Sequence, residues 1–308
     1  MSLIIAIDIG GTHIRAAAYE PDSTKPVAHT KTKSLAKTPG VFDRLVKTVE
    51  AVWQEGRVSA IGIASPGPLN PHTGTILDTP NIPQWTNFPV ASKLSERFGV
   101  PVFLDNDANL AGLAEWQFGA GRGHSDLVYL TISTGIGGGV IMQDRLLLGW
   151  RGLAGELGHV TIQPEGPVCS CGKRGHIEAF SSGRGIAHYV EEQLASGRAS
   201  SLKGSPSARE ISAAAQSGDL LAVEAYERAA NYLGIMVANY LHIFNPSILV
   251  MGGGVSQSSA LFMNPFRAAL EKHIIAREFI EGLQIVPAAL GDDCGLLGAL
   301  AMAREYQA

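Results

Sequence analysis

"LIIAIDIGGTHIRAAAY", Leu3 to Tyr19, reads as two apolar strands joined by a turn of small residues. Leu3–Ile9 reads as a buried strand, and His13–Tyr19 resumes straight after "GGT", which is a hairpin signal. The same design returns at "LVYLTISTGIGGGVIM", Leu127 to Met142: strand, Gly-rich turn, strand. Two copies of one unusual hairpin mark a faint internal duplication. A further strand, "PSILVMGGGV" from Pro246, runs into Gly252, Gly253 and Gly254.

Around these hairpins, strands alternate with helices, so the class is α/β. Thr38-Pro39 is expected to open a helix, with Thr as N-cap and Pro in the first turn. Its apolar face would be Phe42, Leu45, Val46, Val49 and Val52. Val58–Ala64 is another buried strand, and it leads into "SPGPLNPHTGTILDTPNIPQW", whose Pro and Gly mark an irregular loop. Loops of that length inside a compact domain are usually binding loops. "PVFLDNDANLAGLAEWQFG" reads as a short strand to Leu104 and a helix from about Asp107. "GAGRGHSD", Gly119 to Asp126, reads as a crossing between lobes, Asp219 to about His242 as a long helix, and "DCGLLGALAMAREYQ" as a closing one.

At 308 residues the chain exceeds what one core usually serves, which favours two lobes. With 45% hydrophobic and 17% charged residues it has the composition of a soluble enzyme. A formal charge of −4 offers no basic footprint for nucleic acid or anionic membrane. No apolar run approaches the roughly 20 residues that span a bilayer. The N-terminal run has no basic segment or cleavage site of a signal peptide. With three cysteines there is no disulfide framework, and the expected location is the cytoplasm.

Gly-rich turns after strands suggest phosphate binding, but neither familiar motif is present. No G-x-x-x-x-G-K-[ST] occurs, and "GIGGGV" places Val140 where a dinucleotide fingerprint needs its last Gly, with a strand following in place of a helix. A tight hairpin of small residues still lets backbone N–H groups and a Thr hydroxyl approach phosphate oxygens. Asp8, at the mouth of the first turn, can hold a hydrated Mg²⁺.

"AIDIGGTHIRAA", "LDNDANLAGLAEW", "TISTGIGGGVI", "GLAGELGH", "CSCGKRGHIEAFSSG" and "LVMGGGVS" together resemble the ROK family of bacterial sugar kinases and repressors, in the family's order and over nearly the whole chain. The resemblance implies a two-lobed actin-like ATPase fold, ribonuclease H-like in each lobe, with ATP and sugar in the cleft between lobes. The first lobe would span 1–120 and be joined by the C-terminal helix 293–308; the second, 121–292, would carry a zinc-binding loop. By the same resemblance Asp8, Gly10, Gly11, Thr12, Thr134, Gly135 and Gly137 line the phosphates, and Gly252, Gly253 and Gly254 back the adenosine.

Phosphoryl transfer needs positioning and a carboxylate that accepts the hydroxyl proton. "LDNDAN" offers Asp105 and Asp107 at a strand end, where open α/β sheets bind ligands. An Asp there can equally be a helix N-cap, and Asp107 can serve as both. The resemblance assigns the base to Asp107 and a sugar-hydroxyl contact to Asn106, leaving Asp105 structural. It adds Gly67, Asn81, Glu156, His159 and Glu178 around the sugar.

"GHVTIQPEGPVCSCGKRGHIEAF", Gly158 to Phe180, holds two of the cysteines and two histidines. A Cys169–Cys171 disulfide would close a strained ring across one residue in a reducing compartment. His159, Cys169, Cys171 and His176 instead make a Cys₂His₂ set suited to tetrahedral Zn²⁺. His176 stands where the family pattern C-x-C-G-x-x-G-C-x-E has its third cysteine. Four protein ligands leave no open position, so the zinc would be structural, aiming Glu156 and Glu178. Cys294, on the closing helix, is expected to be a buried small apolar residue.

The expected activity is ATP-dependent phosphorylation of a hexose at its 6-hydroxyl, glucose favoured, by a homodimer. N-acetylmannosamine, N-acetylglucosamine and fructose are the rival substrates, and polyphosphate a rival donor. A repressor of the family would need a DNA-binding module ahead of a core that here begins at Leu3. A non-catalytic sugar sensor is disfavoured by the presence of Asp107.

Overall fold

The structure, a computed structural model, describes residues 2–79, 82–256 and 259–307. The first hairpin forms as β1 (Leu3–Ile9) and β2 (His13–Tyr19), followed by β3 (Pro26–Lys33), helix α1 (Val41–Glu50) and β4 (Val58–Ser65). A small hairpin of β5 (Leu69–Asn70) and β6 (Thr75–Ile76) precedes α2 (Val90–Phe98), β7 (Val102–Asn106) and α3 (Asp107–Phe118). The second hairpin is β8 (Leu127–Ile132) and β9 (Ile136–Met142), extended by β10 (Arg145–Leu146). Helices α4 (Glu178–Ser181), α5 (Gly183–Ala195), α6 (Ala208–Gln216) and α7 (Leu220–Phe244) lead to β11 (Ile248–Gly252). Helix α8 (Ser259–His273), β12 (Gln284–Pro287) and α9 (Cys294–Glu305) complete the chain.

The duplication seen in the two hairpins extends to whole sheets. One runs β3-β2-β1-β4-β7 and the other β10-β9-β8-β11-β12, so that each hairpin occupies the same place. In both, the first three strands are antiparallel and the last three parallel. The parallel centre explains the unbroken apolar runs, because such strands are covered on both faces. Leu3, Ile4, Ile5, Ile7 and Ile9 of β1 are at most 1% exposed, and burying each side chain contributes about 1.5–3 kcal/mol. The edge strand β3 alternates exposed and half-buried positions instead.

Helices α3 and α9 lie between the sheets. Leu110 and Leu113 of α3 and Leu300 of α9 share one buried cluster with Ile4 and Ala6 of β1, Leu127 and Tyr129 of β8 and Val250 of β11. A second cluster packs β1 and β4 against α1 and α2, and a third packs β8 and β11 against α7 and α8. Among the described residues no helix is long and apolar enough to cross a membrane.

Thr38 does not cap α1: the helix begins at Val41 behind Gly40, and the Thr38 hydroxyl donates to the Leu35 carbonyl. The reason is Arg44, whose guanidinium gathers the carbonyls of Ser34, Leu35, Thr38 and Pro39 and folds the preceding segment into a turn. The segment after β4 is also not structureless. Besides β5 and β6 it contains an Ile76–Phe88 bridge, with Trp85 stacked on Phe88 at 4.8 Å.

Candidate active site and metal centre

The residues singled out in the sequence gather at the carboxyl ends of parallel strands, where open sheets bind ligands. The first turn, Gly10–Thr12, follows β1 and closes through Gly10 N–H donating to His13 O at 2.8 Å. Ser34, which the sequence did not point to, is fully buried and supports it: its hydroxyl donates to Gly11 O at 2.7 Å and its N–H to Thr12 O at 2.9 Å. Thr134 and Gly135 form the matching turn after β8, with Thr134 exposed and Gly137, the second residue of β9, beside Ala108 of α3. Gly252 ends β11, and Gly253 and Gly254 follow it. Gly253 has φ +86°, and a Cβ there would stand 2.3 Å from Ile132 O, so only glycine lets this turn lie against the end of β8.

Asp8 already has a cationic partner within the hairpin. Strand register sets it opposite Arg15, whose Nε donates to Asp8 Oδ2 at 3.0 Å while Nη2 reaches the same oxygen. Both bonds end on Oδ2, so Oδ1 carries neither. The signal for Arg15 lay in the hairpin itself, since the short turn fixes which side chains face each other. Cys294 opens α9 close to Asp8 and is half-buried rather than buried.

The β7–α3 junction divides three polar residues by role. Strand β7 runs two residues beyond Leu104, so Asp105 and Asn106 belong to it. Asp105 is 2% exposed, and its Oδ1 accepts from Asn106 N–H at 2.6 Å and Asn109 Nδ2 at 3.3 Å. Asn106, with extended backbone, is the N-cap of α3; its Oδ1 accepts from the N–H groups of Ala108 and Asn109. Asp107 is therefore the first helical residue and not the cap, although its Oδ1 also accepts from Ala108 N–H at 2.8 Å. The Asn106 amide nitrogen faces Gly67, where a Cβ would lie 3.2 Å away. Burial lifts the Asp107 carboxyl to about 6, the negative charges of Asp8 and Glu156 add to the lift, and the Ala108 N–H opposes it. Asp105 is likewise raised to about 6 by burial, against the Asn106 and Asn109 hydrogen bonds.

Glu156 precedes a short 3-10 turn, Leu157–His159, and its carboxylate lies 4.0 Å from His159 Nε2. Glu178 is 8% exposed and already engaged. Its Oε2 accepts from Ile136 N–H at 3.1 Å, and its Oε1 from the Ser170 hydroxyl and from Cys169 at 3.3 Å. Burial pushes this carboxyl up, but the Ser170, Ile136 and Cys169 hydrogen bonds outweigh that and hold it below its usual value. Ser170 and the Ile136 N–H carried no sequence signal: Ser170 reaches Glu178 across the turn of their shared loop, and Ile136 comes from the second hairpin. Asn81 lies outside the described residues.

His159, Cys169, Cys171 and His176 converge, with their four donor atoms within 4.8 Å of one another. Cys169 Sγ is 3.5 Å from His159 Nδ1, and Cys171 Sγ is 3.3 Å from His176 Nδ1. A tetrahedral Zn²⁺ with two sulfur and two nitrogen ligands has donor–donor edges of about 3.5 Å, so the cluster fits such an ion. The loop is preformed by Cys169 N–H donating to Lys173 O at 2.7 Å, Gly172 N–H to Cys169 O at 2.9 Å and the Val168–Arg174 bridge. Gly175 has φ +76°, and a Cβ there would overlap Gln163 O, which fixes how His176 leaves the loop. His159 presents Nδ1 to the cluster and Nε2 to Glu156, so one ring serves both places.

A family model described as the ROK family matches residues 4–306. The chain is 37% identical to a glucokinase of Thermotoga maritima over 310 residues, covering 98% of this chain and 97% of that protein. It resembles the solved ROK family glucokinase of Streptomyces griseus in complex with glucose and AMPPNP at 33% identity and a TM-score of 0.80, covering 99% of this chain and 100% of that one. For the ROK hexokinase of Thermus thermophilus the identity is 36% and the TM-score 0.83, covering 99% of each chain.

Proposed function

The chain belongs to the ROK family and has its two-lobed actin-like fold, and from that premise we propose that it is an ATP-dependent hexose kinase that phosphorylates glucose at the 6-hydroxyl. The observation that carries the reading is Asp107, a carboxyl lifted to about 6 at the strand–helix junction beside the Gly137 end of the second hairpin. A base titrating near the working pH is suited to take the hydroxyl proton late in a loose transition state. Asp107 would accept that proton, with the Asn106 amide nitrogen, Gly67, Asn81, Glu156, His159 Nε2 and the remaining lone pairs of Glu178 around the ring. Each hydroxyl left unpaired in such a site costs about 1–3 kcal/mol, which is how a polar ring is selected.

The phosphates of ATP would lie across Gly10–Thr12 and Thr134–Gly137, with Gly252–Gly254 behind the adenosine. Mg²⁺ bound with ATP would neutralise phosphate charge, and Asp8 Oδ1, which takes neither Arg15 bond, would hold its water shell, with Arg15 keeping Asp8 oriented. Zn²⁺ on His159, Cys169, Cys171 and His176 would be structural, since four protein ligands leave no position for a reacting water. We divide the chain into a first lobe of 1–120 with 293–308 and a second of 121–292. We also place the protein in the cytoplasm, where Cys169 and Cys171 stay reduced, and read it as a homodimer. Sedimentation of a monomer at micromolar concentration would contradict that last point.

An ADP-release assay across a sugar panel tests the function. Glucose should give the highest kcat/KM, above fructose, mannose, N-acetylmannosamine and N-acetylglucosamine. Release of ADP at one rate whatever sugar is present would end the reading.

A further inference from the structure

Among the described residues two segments carry the chain between the second sheet and the helices packed against the first: 119–126, from α3 to β8, and 288–293, from β12 to α9. Both are held by one side chain. Glu115, on α3, is 0% exposed, and its Oε2 accepts from Ala120 N–H at 2.9 Å. Its Oε1 accepts from Ala289 N–H and Leu290 N–H, each at 2.8 Å. The backbone of the same residue joins in, since Glu115 O accepts from Gly119 N–H at 3.1 Å and Gly121 N–H at 2.8 Å. A Cβ at Gly119 would stand 2.1 Å from Glu115 Oε2, so the first connection can reach the carboxylate only as glycine.

A buried carboxylate is costly unless its charge is met by hydrogen bonds, and here three backbone donors meet it. An apolar side chain of the same size would fill the space but leave those three amides without their acceptor. The charge thus gathers two chain segments far apart in sequence onto one point of the helix that begins with Asp107. Trp116 strengthens the same place by donating from Nε1 to His124 O at 2.6 Å.

We propose that Glu115 is the pivot on which the two lobes close over hexose and ATP, and so a positioning residue for phosphoryl transfer. Hydrogen bonds from two crossing segments to one carboxylate let those segments rotate about it without separating. Asp107 sits eight residues before Glu115, about 12 Å along the helix axis, so an error of about 10° at the pivot displaces the base by roughly 2 Å. Misplacement of about 1 Å is enough to cost about 10²-fold in rate. The proposal rests on the kinase reading above and adds to it a residue that never touches substrate.

The test is Glu115→Gln, which keeps one acceptor oxygen but turns an NH₂ group toward an amide donor. The expected result is a folded protein in which kcat falls about tenfold or more while the KM for ATP changes little. The contraction in radius of gyration that glucose induces in the parent enzyme should be reduced or lost. A variant that melts lower but contracts normally and keeps kcat within about twofold would overturn the pivot and leave the kinase reading standing. A parent enzyme that phosphorylates glucose without contracting would overturn closure itself. If Glu115→Gln does not fold, hydrogen exchange on the parent enzyme decides. The Ala120, Ala289 and Leu290 amides should stay equally protected with and without glucose plus AMPPNP, because a pivot keeps its bonds through the motion. Loss of protection at any of the three on binding would refute it.

Discussion

Asp107 combines three things that pull in one direction: the first position of α3, burial, and two other carboxylates whose fields it feels. Asp107→Asn should lower kcat by about 10²–10⁴ while glucose binding stays within a few-fold. Turnover within tenfold of the parent would remove the residue from the role of base. The lifted carboxyl also predicts a pH dependence. In the parent, kcat/KM should fall as the pH drops below about 6, because the base is then protonated. Stability moves the other way. A carboxyl at about 6 in the folded chain and 3.8 ordinarily binds its proton more tightly when folded, so stability is lost as pH rises between those values. Asp107→Asn should therefore raise the melting temperature of the ligand-free protein at pH 8 and barely alter it at pH 4; an equal shift at both would contradict the lifted value. At this scale the sequence disclosed residue types at strand ends but not their partners. Arg15 was recoverable from hairpin register, whereas the donors on Glu178 come from segments 136 and 170 that no local pattern links. The cap of α3 went to Asn106 because its backbone is extended and that of Asp107 is already helical, a distinction of one residue that composition does not carry.

The loop from His159 to His176 is the element whose shape and chemistry were most legible, because ligand types and spacing state their geometry directly. Its backbone turns are set by glycines and short hydrogen bonds, and the four donors meet as the sequence required. Its link to the sugar site was not visible: Ser170 lies between the two cysteines and its hydroxyl donates to Glu178. Removing one ligand, as in Cys171→Ser, should loosen that donor and the glutamate together. The glucose KM should rise and kcat/KM fall by about 10–100-fold, the usual cost of losing outer supports, while ATP binding changes little. His176→Cys supplies the family's usual ligand and should keep both metal and activity. Metal analysis of protein purified without a histidine tag should find one zinc per chain, and active enzyme without zinc would refute the assignment. The first strand of each hairpin was legible for a different reason: β1 and β8 each have a parallel neighbour and are buried, and such strands read as apolar runs. The start of α1 was misread because Arg44, the fourth residue of the helix, organises the turn before it.

At the scale of the molecule, the two Gly-rich hairpins carried the main message, and the identical order of the two sheets is its full extent. What sequence periodicity could not convey is the sandwiching of α3 and α9 between those sheets, since both helices are apolar on several sides and neither pattern names its neighbours. That placement puts Asp107, the Gly137 end of the second hairpin and the pivot Glu115 on or against one helix, so a motion of the lobes acts directly on the reacting groups. Glucose should reduce the radius of gyration by driving closure, which excludes the water that would otherwise consume ATP. The most direct test of the whole account is a single turnover with γ-labelled ATP and glucose, followed by identification of the labelled product. The account predicts label on the 6-oxygen of glucose for the parent enzyme and almost none for Asp107→Asn. Label appearing only as inorganic phosphate, or on glucose equally in both proteins, would contradict it.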